Sequence, residues 1–156
     1  RDRTSIPQGS LSSFANYVAG LMPTQKEVNA ITQAFRELAD KEETDVYHCT
    51  QLYGIGGSIR SAAKLYGDLC NNGNRFNYLL PEHIDAILNR YAEDPNAFAH
   101  EALRTLPDRI HTLIPGCVII REAFKLCGGE RLDICKYGVR EGYLAERVLV
   151  KPVSFA

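Results

Sequence analysis

In the stretch Tyr53-Gly54-Ile55-Gly56-Gly57-Ser58-Ile59-Arg60, a glycine-rich turn separates a predicted strand from a predicted helix. The strand is expected over residues 45–52, which carry β-branched, aromatic and other apolar side chains. After the turn, with Ser58 placed as the N-cap, apolar residues recur at helical spacing: Ile59, Ala62, Ala63, Tyr66 and Leu69. Glycines let a ligand approach the backbone, and the free N–H groups of a helix start attract anions. The stretch therefore predicts a phosphate or nucleotide turn.

The turn differs from the two best-known phosphate loops. A dinucleotide fingerprint needs a third glycine where Ile59 stands, and a Walker loop needs a Gly-Lys-Ser/Thr that the turn lacks. The alternative is a tight strand-to-helix connection whose glycines only permit close packing. Spacing alone leaves both interpretations open.

The composition favours one soluble domain. The chain has 156 residues, of which 45% are hydrophobic, and a formal net charge of −1. Basic residues form no long run, so a general nucleic-acid binder is not expected, and no stretch approaches the roughly 18 apolar residues of a membrane span. The five cysteines form no CxxC pair and no Cys/His cluster at zinc spacing, and their odd number in a chain without a signal peptide favours reduced thiols in the cytoplasm. The four histidines share no metal-ligand spacing either, and no metal site is predicted.

The remaining elements are predicted to be mostly helical, around a sheet of three or four strands. Thr24 and Glu27 form a capping box that opens a helix. Residues 108–127 have a helical pattern with Pro115-Gly116 inside it, which predicts two helices or one sharp kink. Gly128-Gly129 is expected to end this segment, and residues 131–136 to form a strand.

Four segments, taken in order, resemble the exopolyphosphatase and guanosine pentaphosphate phosphatase (Ppx/GppA) family. They are Ser5-Ile6-Pro7-Gln8-Gly9-Ser10-Leu11, the glycine turn, Asp108-Arg109 with Ile114-Pro115-Gly116, and Tyr137-Gly138-Val139-Arg140-Glu141-Gly142-Tyr143-Leu144. The resemblance covers residues 5–146. It implies an α/β fold, namely a helix-rich, ribonuclease H-like lobe of the actin, heat-shock protein and sugar kinase superfamily, with its sheet truncated on the N-terminal side.

The resemblance implies that residues 1–156 are the second, C-terminal lobe of such a phosphatase. In the family, the first lobe supplies a phosphate loop and a glutamate that activates water, and a second loop of Asp-x-Gly-Gly-Gly-Ser type precedes the Ser-x-Pro-x-Gly segment. These catalytic parts are expected upstream of Arg1, and this chain alone is expected to be inactive. The parent enzyme would release terminal orthophosphate from inorganic polyphosphate or guanosine pentaphosphate, with magnesium held by ligands outside this chain.

Six residues are the candidates for substrate binding: Gly54, Gly56, Gly57, Ser58, Arg109 and Arg140. By resemblance, those of the turn face the cleft between the lobes. Arg109 suits phosphate oxygens or a guanine edge, but an ion pair with Asp108 or Glu101 is the alternative. Arg140 is assigned to the cleft or to a bridge between lobes, whereas Glu141 is expected to cap its helix.

Two further interpretations stay open. One is a non-catalytic domain that senses guanosine tetra- or pentaphosphate, and the other is a helical interaction domain in which the glycine turn binds no anion. The first lobe is the expected partner of this chain. A sheet that lacks its earlier strands would also expose an edge, so a homodimer is predicted through that edge.

Overall fold

A computed structural model describes residues 5–41 and 48–149, and helices dominate it. A short 3-10 helix, Pro107–Arg109, precedes the longest helix, and a π-helical segment, Ala145–Leu149, follows the last one. The other elements are α1 (Ser10–Tyr17), α2 (Gln25–Lys41), β1 (Gln51–Gly54), α3 (Gly57–Cys70), β2 (Tyr78–Leu79), α4 (Pro81–Glu93), α5 (Pro95–Thr105), α6 (Ile110–Cys127), β3 (Arg131–Ile134) and α7 (Val139–Leu144). The predicted helix-rich α/β composition is confirmed. In this described part, none of the helices has the length and apolar character to cross a lipid bilayer.

The sheet of the described residues has three strands in the order β1-β3-β2. Strands β1 and β3 are parallel, with Gly54 opposite Ile134, and β2 is antiparallel to β3. Of the predicted strand over residues 45–52, residues 45–47 lie outside the described residues. In the described part the predicted bounds are wrong, because β1 begins only at Gln51 and continues to Gly54. Because β1 and β3 end at the same edge, the glycine turn and the chain after β3 lie side by side. The Cys135 N–H donates to the Gly54 carbonyl at 2.8 Å across this edge.

Helix α6 is the centre of the core and contacts α1, α2, α3, α4 and α5. Ile114, Pro115 and Val118 are almost completely buried. Of the two alternatives predicted for this segment, division into two helices is wrong, because α6 continues through Pro115, whereas a kink at that residue stays a prediction. Proline removes one backbone donor near the start of the helix, and burial of the apolar residues around it offsets that loss.

Local signals for helix ends are confirmed. The Glu27 carboxylate accepts from the Thr24 N–H at 2.6 Å, and the Thr24 hydroxyl accepts from the Glu27 N–H at 3.3 Å. This is the predicted capping box at the start of α2. At the end of α6, Gly128 has a left-handed backbone with φ of 65°, which is the predicted glycine C-cap.

One buried carboxylate joins α2 to α6. Glu122, 3% exposed, accepts from Arg36 Nε at 2.7 Å, Lys125 Nζ at 3.1 Å and Arg121 Nε at 3.3 Å. Arg121 also donates to the Thr32 hydroxyl of α2. Burial alone would raise the pKa of the Glu122 carboxyl, but its bonds to Arg36 and Lys125 outweigh burial and hold the pKa below its ordinary 4.5.

An aromatic cluster at the start of α4 surrounds a buried histidine. The His83 ring stacks on Tyr66 with centroids 4.1 Å apart, and it also packs against Phe76 and Tyr78. Its Nδ1 accepts from the Leu80 N–H at 3.4 Å. Burial lowers the pKa of His83 below its ordinary 6.5, and the charge of Glu82 opposes this shift only in part.

His83 should make the fold less stable in mild acid. Its pKa is lower in the folded chain than in the unfolded chain, so the unfolded chain takes up the proton first as the pH falls below 6.5. We expect the free energy of unfolding of the native chain to fall more between about pH 7.5 and about pH 5.5 than that of His83→Phe. Urea unfolding at both pH values measures the difference. Parallel pH profiles for the two proteins would contradict this account.

Candidate functional site

The glycine turn connects the end of β1 directly to the start of α3. Gly56 is the N-cap of α3 with φ of 131°, a backbone conformation that residues other than glycine rarely adopt. The prediction that Ser58 is the N-cap is therefore wrong, because α3 begins at Gly57 and Ser58 is its second residue. The conformation of Gly56 turns the chain into the helix two residues earlier than the serine would.

Gly54 is a glycine because the core is tight at this point. It is buried at the end of β1, and a Cβ there would lie 2.6 Å from Leu132 Cδ2 and 2.7 Å from Ile59 Cδ1. These distances are shorter than carbon atoms tolerate, so any side chain would force its neighbours apart. The close-packing interpretation holds for Gly54, and its part in ligand binding stays a prediction.

Arg109 lies over the first residue of α3. A Cβ on Gly57 would lie 3.0 Å from Nη2 and 3.3 Å from Cζ of Arg109. The alternative partner Glu101 instead binds Arg90 at 2.8 Å, and within residues 5–41 and 48–149 Arg109 has no ion pair with Asp108. A guanidinium beside the positive end of a helix concentrates two like charges. An anion placed between the helix start and Arg109 would stabilise both.

The first and third segments of the resemblance meet the turn at Ser58. The hydroxyl oxygens of Ser58 and Ser10 are 3.1 Å apart and share a hydrogen bond. Gly116 of α6 lies against this pair, since a Cβ there would be 3.3 Å from Ser58 Cβ and 3.6 Å from Ser10 Cβ. Ser10 and Gly116 are absent from the six candidates, although both lie within segments that carry the resemblance.

The fourth segment approaches the other side of the turn. A Cβ on Gly138 would lie 3.6 Å from Ile55 Cγ2, and the Gly138 N–H donates to Glu141 Oε2 at 2.8 Å. Glu141 thus caps α7, as predicted. Hydrogen bonds from its own backbone N–H and from the Gly138 N–H, and then the charges of Arg140 and Arg60, hold the pKa of the Glu141 carboxyl below its ordinary value. Arg140 is exposed and, in the part of the chain described, makes no hydrogen bond or ion pair with the turn.

The assembled groups suit anion binding more than bond making. They are the N–H groups at the start of α3, the paired hydroxyls of Ser10 and Ser58, and the guanidinium of Arg109, all of which favour phosphate oxygens. The nearby Glu141 carboxylate is engaged in its helix cap. Over residues 5–41 and 48–149, no three His, Cys, Asp or Glu side chains are placed to hold a metal ion.

Comparison with solved structures finds Ppx/GppA proteins of Aquifex aeolicus. The crystal structure of the Aquifex aeolicus member of the family matches 96% of this chain and 49% of that chain, with a TM-score of 0.72 and 22% identity. The type II variant of the Aquifex aeolicus Ppx/GppA phosphatase matches 95% of this chain and 50% of its own length, with a TM-score of 0.71 and 22% identity. The sequence matches no family model and no curated protein. The chain spans about half the length of these solved structures, and its fold is that of one half of a Ppx/GppA protein.

Proposed function

We propose that residues 1–156 form the second, ribonuclease H-like lobe of a Ppx/GppA-type phosphohydrolase of the actin-like superfamily. The parent protein would release terminal orthophosphate from inorganic polyphosphate or guanosine pentaphosphate. One observation carries this proposal: three segments that are far from the glycine turn in the sequence all contact it in the fold. A turn that served only to connect β1 and α3 would not require the Arg109 guanidinium beside Gly57.

In this proposal the chain binds and orients a phosphate group, and other parts of the protein carry out the chemistry. The N–H groups of Gly57 and Ser58 and the Arg109 guanidinium would share the phosphate oxygens. The water-activating carboxylate and the loop of Asp-x-Gly-Gly-Gly-Ser type would precede Arg1. We propose Mg²⁺ as the accompanying ion, with its ligands outside this chain.

Orthophosphate release with magnesium tests the reaction. We expect release from polyphosphate or guanosine pentaphosphate by the protein extended upstream of Arg1, and none by this chain alone. Activity of this chain alone would contradict the assignment of the catalytic groups to other parts of the protein. Binding of guanosine tetraphosphate or pentaphosphate without hydrolysis by the extended protein would favour the sensing domain instead.

Two variants of the extended protein test the site itself. Arg109→Gln should lower kcat/KM by about tenfold, because it removes one charged hydrogen-bond donor from the phosphate. Gly57→Ala should have a similar effect, because its methyl group would displace the Arg109 guanidinium from its place beside the start of α3. Since the displaced atoms are the flexible end of a side chain, the fold should stay intact. The matched control is Arg104→Gln on α5, an exposed arginine outside the turn. Equal activity of the control and both variants would exclude the turn as the substrate site.

A further inference from the structure

A groove of about 530 Å³ lies beside the glycine turn, between α3 and residues 73–77. Its polar and charged lining consists of three cationic side chains, two amides and one carboxylate: Arg60, Lys64, Arg75, Asn74, Asn77 and Asp68. The end of β3 closes the groove, where the Ile134 N–H donates to the Asn77 carbonyl at 2.8 Å. The groove thus opens at the same edge of the sheet as the turn.

The positive charge of the groove is only partly neutralised. Lys64 binds Asp68 at 2.6 Å and also donates to the Thr105 carbonyl at 3.3 Å, so its charge is satisfied. Arg60 and Arg75 are exposed and have no ion pair among residues 5–41 and 48–149, although Arg60 is close enough to Glu141 for its charge to lower the pKa of that carboxyl. Two guanidinium groups therefore face a groove in a chain whose overall charge is −1.

The groove continues from the turn along α3. Arg60 stands in the first turn of α3, just after Gly57 and Ser58. From Arg60 to Asp68 the helix side of the groove extends about 12 Å, at the rise per residue of an α-helix. Phe76 also lines the groove, but its ring packs against Tyr66 and His83 in the aromatic cluster. The remaining lining matches a row of phosphate oxygens better than a nucleotide base.

We propose that this groove binds the distal phosphates of a linear phosphate chain whose end lies at the glycine turn. The inference rests on the proposed function, because it takes the turn as the site of the terminal phosphates. Arg75 is then the residue that distinguishes a long chain from a short one. A short anion fills the turn alone, whereas a long one also reaches Arg75.

Calorimetric titration of this chain at low ionic strength tests the proposal, with tripolyphosphate and long-chain polyphosphate as the two probes. We expect Arg75→Gln to weaken binding of the long chain about tenfold and that of tripolyphosphate less than about twofold. Arg109→Gln should weaken both. Lys26→Gln is the control for loss of one exposed positive charge, because it lies on α2, which does not line the groove. Melting temperatures would verify that each variant folds.

The outcomes separate the groove from the proposed function. Equal effects of Arg75→Gln and Lys26→Gln on the long chain, or no binding of either probe, would overturn the groove proposal. If Arg109→Gln weakens binding of the long chain and Arg75→Gln does not, the groove proposal is refuted and the turn remains the phosphate site. If Arg75→Gln weakens binding of the long chain but the extended protein hydrolyses neither substrate, the proposed phosphohydrolase activity is refuted and the groove proposal stands.

Discussion

Replacement of Gly67 by alanine should lower the free energy of unfolding by about 3 kcal/mol, although alanine is the better helix former. Gly67 is buried in α3, and a Cβ at this position would overlap the carbonyl oxygen of Asn74. The Gly67 carbonyl also accepts from the Gly73 N–H at 2.7 Å, so residues 71–74 lie directly on the helix. The obstructing atom belongs to the backbone, which cannot rotate away as a side chain would.

Urea unfolding of Gly67→Ala measures this effect, with Gly142→Ala as the control. A Cβ on Gly142 in α7 would meet no atom within 4 Å, so that substitution should change stability by less than about 1 kcal/mol. Because residues 73–77 also line the groove, Gly67→Ala should disturb the groove as well as the fold. A stabilised Gly67→Ala variant would show that the segment after α3 adapts to a side chain.

Replacement of Glu122 by glutamine should lower the free energy of unfolding by about 2 kcal/mol at neutral pH. The variant keeps the shape of the side chain but removes the buried charge that binds Arg36, Lys125 and Arg121. Arg36 and Lys125 are about half exposed, so water can hydrate them after the substitution and limit the loss.

The pH dependence of stability tests whether the charge of Glu122 causes the loss in Glu122→Gln. The pKa of Glu122 is lower in the folded than in the unfolded chain, so its contribution is present above pH 4.5 and disappears as the pH falls through the folded pKa. The gap between the native chain and Glu122→Gln should therefore be large near about pH 7 and small near about pH 3. Glu37→Gln, an exposed position on α2, is the control and should have almost no effect. A gap of the same size at both pH values would assign the effect to packing.

The features that sequence predicted well are local ones. The Thr24–Glu27 capping box and the Gly128 cap depend on residues within one helical turn of each other, so their pattern is visible in the sequence. The start of α3 was harder to predict, because the sequence does not tell which glycine of the turn adopts the positive φ. The continuity of α6 through Pro115 depends on burial by other helices, which no local pattern records.

The candidate site was predicted in part, through residue types and through the order of the four segments. The resemblance indicated that Arg109 and the turn belong together, but only the fold shows the guanidinium against Gly57. Nothing in the sequence marks Gly116 as a neighbour of Ser58, since only the packing of α6 on α3 brings them together. The groove was not predicted, because its two sides meet through the tertiary path of residues 73–77.

The position of Arg109 has a kinetic consequence. The guanidinium that lies beside Gly57 at the start of α3 is the free end of a long, exposed side chain. Exposed side chains change rotamer in picoseconds to nanoseconds, whereas loops and lids take far longer. If the turn binds an anion as proposed, we therefore expect rotamer exchange of Arg109 to be faster than diffusion of a small anion to the turn, so that encounter limits the rate of association.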